Sequence, residues 1–122
     1  MSTNIQIDFK PAMLQWLRVK MANASNLELA ALWVGYDNKD CGCSVNGVVV
    51  VQWMDNKHTL PDFDRLITME IIDSLNGLPI TNTVPVYYEP RSEWVLDPRL
   101  HLDYLPDTQR FRLTSDGQIF CS

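Results

Sequence analysis

Positions 48 to 51 are four consecutive valines, set in the run "NGVVVVQWM" at residues 46 to 54. Valine is branched at Cβ, which stiffens χ1 and suits a pleated strand better than a helix. The run does not alternate apolar with polar residues. It therefore reads as a strand covered on both faces and central to a sheet.

The flanking segments predict what covers it. "KPAMLQWLRVKMAN", residues 10 to 23, reads as a helix. Pro11 suits a first turn, and Met13, Leu17 and Met21 recur every four residues. "WLRVKM" also alternates, so a strand is the rival. "TLPDFDRLITMEIIDSLNG", residues 59 to 77, predicts a second helix. Thr59 would cap it, Pro61 would open it, Asp62 and Asp64 would sit at its positive end, and Gly77 would close it. Phe63, Leu66, Ile67 and Ile71 would share its apolar face.

"SNLELAALWVGY", residues 25 to 36, has Ser25 and Glu28 at capping-box spacing but ends in a stretch that can equally be extended. Residues 4 to 9 read as a strand, and so do residues 83 to 89, with Pro85 at an edge or start. Residues 110 to 121 read as a hairpin around Asp116-Gly117. The expected architecture is one α+β domain over residues 1 to 122. Two or three helices pack on a mainly antiparallel sheet of four to five strands.

Composition narrows the function classes. A chain of 122 residues can remove roughly two thirds of its unfolded surface from water. No apolar run approaches the roughly 20 residues of a membrane span. The start lacks a basic segment followed by an apolar one, so no secretion signal is read there. Cys41, Cys43 and Cys121 make an odd count, and the first two lie too close to pair, which favours a reducing cytoplasm. The net charge is −5, and fifteen acids are interleaved with ten bases. That pattern argues against direct nucleic-acid binding, which needs a basic face.

Several residues tempt a chemical reading. Cys41, Cys43, His58 and Cys121 could close a zinc tetrahedron only if the fold gathered all four, and no second ligand pair supports it. Small buried hydrophobes are the commoner role for cysteine. "DNKDCGC" fails as a calcium loop, because Lys39 and Val48 fall where ligands should be. His101 and Asp103 would share one face of a strand, but no marked nucleophile accompanies them. Glu70 falls on the apolar face of the expected second helix, where a carboxylate needs a partner or a raised pKa. No glycine-rich phosphate loop occurs. No cofactor, metal or catalytic residue is expected.

Acid-Pro-Arg occurs twice, as Glu89-Pro90-Arg91 and Asp97-Pro98-Arg99, in a stretch holding five of the seven prolines. Proline fixes φ and biases its predecessor towards extended geometry, so the repeat reads first as a turn device. The same stretch carries Tyr87, Tyr88, Arg91, Trp94 and Arg99, residue types that dominate binding hot spots. These five form the expected binding surface. The resulting expectation is a non-enzymatic protein-binding module of the inhibitor, immunity or regulatory type, encoded by a phage or mobile element. The alternative is a small-molecule or nucleotide sequestering module with a pocket between subunits of a homo-oligomer. An enzyme using Glu70, or His101 with Asp103, is the third reading.

Overall fold

The computed structural model describes residues 5–37, 48–60, 62–90, 96–116 and 119–121. Among the described residues, two sheets, a single α-helix and two short 3-10 turns account for the regular structure. Nine strands run in chain order: β1 (Gln6–Phe9), β2 (Ala31–Asp37), β3 (Val48–Met54), β4 (Ile67–Thr68), β5 (Glu70–Asp73), β6 (Val86–Tyr88), β7 (Arg99–Leu105), β8 (Arg110–Thr114) and β9 (Ile119–Cys121). The helix α1 (Pro11–Ala22) follows β1. The five-stranded sheet has the order β5-β1-β7-β8-β9, and the four-stranded sheet the order β3-β2-β6-β4.

The expected layout of helices packed on one antiparallel sheet is therefore wrong. The fold is predominantly β, and β1 runs parallel to both β5 and β7 while β2 runs parallel to β6. The error lies mainly in residues 59 to 77. Asp62 adopts a left-handed backbone conformation, which a helix interior does not tolerate. It separates two 3-10 turns, Lys57–Thr59 and Phe63–Arg65. The Thr59 hydroxyl donates to the Asn56 carbonyl at 2.7 Å, so it caps nothing. Beyond these turns the chain is extended through β4 and β5. Gly77, at φ 72°, serves a tight turn whose N–H donates to the Asp73 carbonyl at 2.8 Å.

Residues 25 to 36 resolve the same way. Asn26 Oδ1 accepts from the Glu28 N–H at 3.0 Å in a local turn, and β2 begins at Ala31. The helix expected from residue 10 is present. Pro11 opens it, Met13 and Leu17 are buried along one stripe, and the Asn23 N–H closes it on the Val19 carbonyl.

The valine run is strand β3, but it stands at the edge of its sheet rather than at the centre. Val49 and Val51 point into the core while Val50 is only half-buried. One core joins the inner faces of both sheets. Ile5, Ile7, Phe9, Leu100, Leu102 and Leu113 meet Leu32, Val34, Val86 and Tyr88 there, all but fully buried. At the rim of this core Trp16 of α1 packs against Trp53, Tyr104 and Phe111. Lys20 Nζ lies 5.7 Å from the Trp53 ring.

The edge of the larger sheet is covered. After β5 the chain turns back: the Asp73 N–H donates to the Leu78 carbonyl, the Ile80 N–H donates to the Ile71 carbonyl, and Ile72 forms a bridge with Pro79. Such cover keeps an edge strand from pairing with other chains.

Strand β2 contains a glycine for a steric reason. A Cβ on Gly35 would lie 2.0 Å from the Trp33 ring, which folds flat over it. Gly35→Ala should force the indole out of place and lower unfolding stability by about 1–3 kcal/mol, the usual cost of overpacking. Urea denaturation of the variant checks this.

Candidate functional site

Two features of the fold hold chemistry-bearing residues. The first is a polar network on the outer face of the five-stranded sheet. Inward residues Ile7 and Phe9 of β1 alternate with outward Gln6 and Asp8. The register sets Asp8 beside His101 and Gln6 beside both Arg99 and Glu70. Arg99 Nη2 donates to Asp8 Oδ2 at 3.1 Å, and its Nε lies 3.3 Å from the same oxygen. Gln6 Nε2 donates to Glu70 Oε1 at 2.6 Å. His101 Nδ1 lies 3.3 Å from Asp8 Oδ2, and its Nε2 lies 3.1 Å from Asp116 Oδ1. The Ser115 hydroxyl donates to Asp97. Asp8 is 94 % buried, which a carboxylate tolerates only when paired.

The second feature is the placement of the cysteines. Cys41 and Cys43 fall in segment 38–47, outside the described residues. That segment joins β2 to β3, whose facing ends Asp37 and Val48 are paired. Cys121 belongs to β9, which pairs with β8 at Leu113 and lies alongside β3. Two of the three cysteines thus belong to the connection between β2 and β3 and the third to β9. His58 lies beyond the opposite end of β3, where its exposed ring stacks edge-on against Phe63. Among the described residues no group of three or more His, Cys, Asp or Glu side chains is disposed to hold a metal ion.

The residues expected to form a binding surface are dispersed. Tyr88 is fully buried in the core. Tyr87 is half-buried on the outer side of the smaller sheet, against Phe63. Arg99 lies on the larger sheet, its side chain half exposed and paired with Asp8. Arg91 and Trp94 lie outside the described residues. Glu70 is on a strand and exposed, not on a helix face. His101 and Asp103 share a strand face as expected, but His101 turns to Asp8 and Asp116 rather than to Asp103. Sequence reasoning missed Asp8, although "IQIDF" at residues 5 to 9 alternates and so marks Asp8 as facing away from its apolar neighbours.

An open groove of about 730 Å³ runs between α1 and residues 73–83, lined by Leu14, Arg18, Met21, Asp73, Ile80 and Thr83 among others. Among the described residues no tyrosine lines it.

The fold defines a two-sheet β protein with one helix and thiols at the β2–β3 connection and on β9. Residues 5–122 match the family model for iron-sulphur cluster biosynthesis, and the chain belongs to that family. Two solved structures share the fold. One is a Lactobacillus salivarius protein assigned to Fe-S biosynthesis and described as having a novel fold. It is 17 % identical, with a TM-score of 0.56, over 95 % of this chain and 90 % of that one. The other is a Lactobacillus acidophilus protein likewise assigned to Fe-S biosynthesis, also 17 % identical, with a TM-score of 0.54, over 95 % of this chain and 82 % of that one. No curated protein matches the chain.

The family overturns the expected inhibitor or immunity role, the phage or mobile-element origin, and the sequestering alternative. Those expectations leaned on surface composition, which says little about chemistry carried by a few thiols. Among the described residues no helix is long and apolar enough to cross a membrane.

The buried carboxylate gives a direct test of the polar network. Asp8→Asn keeps the shape but removes the charge that Arg99 and His101 face. Stability should fall by about 1–3 kcal/mol, the range for breaking a buried polar contact, as read by urea unfolding.

Proposed function

We propose that this chain takes part in iron-sulfur cluster assembly as a carrier or scaffold, holding the cluster as cargo on Cys41, Cys43 and Cys121. The observation that carries this reading is the family match over residues 5–122, taken with the three cysteines of the chain, Cys41, Cys43 and Cys121. Thiolate is the ligand that iron-sulfur clusters use, because soft sulfur donors suit them.

Three thiols are one short of the usual four-thiolate set. The remaining ligand would come from outside the chain, from a second copy or from the protein that receives the cargo. An incomplete set suits a carrier, which must release what it holds. The role needs no catalytic group, only partners that deliver and accept. A carrier with free thiols works in a reducing cytoplasm.

The test is anaerobic reconstitution of the full chain with ferrous iron and sulfide. The wild type should gain visible sulfur-to-iron charge-transfer absorption. Cys41→Ser, Cys43→Ser and Cys121→Ser should each weaken uptake by more than the roughly tenfold that loss of even an outer-shell partner costs a metal site. Equal absorption in a protein lacking all three thiols would overturn the reading.

A further inference from the structure

We infer that the groove between α1 and residues 73–83 is a docking site for an extended peptide segment of a partner protein, apolar in character and bearing one carboxylate. The inference stands on this groove alone and does not depend on the thiols.

The groove has an apolar track. Leu14, Leu17 and Met21 line it from α1, at spacings of three and four that place side chains on one face of a helix. Ile80 lines it from the other wall. A smaller hollow of about 350 Å³ continues past Met21 and Thr83 to Leu27 and Val84. Of the five large apolar side chains that stand exposed among the described residues, two lie on this path, Leu27 at 43 % and Leu78 at 61 %. Apolar tracks rimmed by polar groups mark interaction sites.

Charge narrows the occupant. Asp73 Oδ1 accepts from the Leu75 N–H at 2.9 Å, so this carboxylate is engaged in its own turn. Arg18 lines the same groove and makes no ion pair or hydrogen bond with any described residue. Its guanidinium carries five donors and no acceptor, and a carboxylate answers it in kind. Glu28 lines the far hollow, so the opposite end of the occupant is neutral or basic. The chain carries −5 overall and would repel a run of acids. A single carboxylate, seated at Arg18, is what this surface admits.

The main chain narrows it further. Thr81, Asn82 and Thr83 line both hollows, and their N–H and carbonyl groups make no backbone hydrogen bond. The Thr83 hydroxyl reaches only the Met21 sulfur, at 3.7 Å, and thioether is a weak acceptor. A helical occupant has spent its own main-chain groups, and a lipid tail has none. An extended peptide still carries them and can pair with this wall.

Fluorescence anisotropy with the full chain tests the site. The probes are two labelled, acetylated and amidated hexapeptides, Glu-Leu-Thr-Leu-Thr-Lys and the reversed order Lys-Thr-Leu-Thr-Leu-Glu, which cover both chain directions. One of them should bind the wild type, and glutamine in place of its glutamate should weaken binding by about fivefold, the upper range for one exposed ion pair. Arg18→Glu should weaken the glutamate peptide by at least that factor and the glutamine peptide by much less, a coupling that a merely structural arginine would not produce. Leu78→Ser should weaken both peptides by about fivefold or more, as loss of an apolar anchor does. Arg18 and Leu78 are both exposed, so both variants should fold, and urea unfolding verifies it.

Three results would overturn the proposal. One is binding of neither peptide at about 1 mM protein. Another is an equal loss for both peptides in Arg18→Glu. The third is a wild-type oligomer that dissociates in Leu78→Ser while no peptide binds, which would make the groove a contact between copies of this chain.

Discussion

Strand β1 pairs in parallel with β5 on one side and β7 on the other, and this double pairing is the constraint on which the rest of the structure depends. Parallel neighbours cannot be joined by a tight turn; they need a crossover. Here the crossover from β1 to β5 contains α1, β2, β3 and β4, and β6 lies between β5 and β7. Each sheet is therefore interrupted in sequence by parts of the other. Neither sheet can complete itself without ordering the other, which is why their inner faces share one core. Contacts such as Asp8 with Arg99, 91 positions apart, close only after most of the chain is in place.

The two faces of β1 divide the labour. Ile5, Ile7 and Phe9 fill the centre of the core, while Gln6 and Asp8 organise the outer face by meeting Glu70, Arg99 and His101. That arrangement extends through His101 to Asp116, just past the end of β8. The connection that carries Cys41 and Cys43 leaves and re-enters the smaller sheet at the paired residues Asp37 and Val48.

Much of this was legible where one period dominated. The Asp116-Gly117 pair gave the hairpin of β8 and β9, the valines gave β3, and the every-fourth-residue pattern of Met13, Leu17 and Met21 gave α1. Residues 59 to 77 misled because Phe63, Ile67 and Ile71 happen to repeat at helical spacing. In fact Ile71 and Ile72 are both buried, on opposite faces of β5, with Ile72 bridged to Pro79. Cover on both sides of a strand erases the period that would have marked it. The adjacent β-branched pair was the available signal for extended structure. "RLHLDYL" at residues 99 to 105 also alternates cleanly, but the surrounding prolines drew attention to turns instead. The thiols were the least legible feature. Cysteine spacing alone distinguishes a buried hydrophobe from a ligand only when a full set lies close together in sequence, and here Cys121 is separated from Cys43 by most of both sheets.

The claim that these thiols carry iron and sulfide can be read most directly by native mass spectrometry of the full chain purified without oxygen. The expected result is a species heavier than the polypeptide by whole numbers of iron and sulfide, which disappears when the cysteines are alkylated before iron is supplied. A spectrum showing only the bare polypeptide mass after exposure to iron and sulfide, or a mass increment untouched by alkylation, would contradict it.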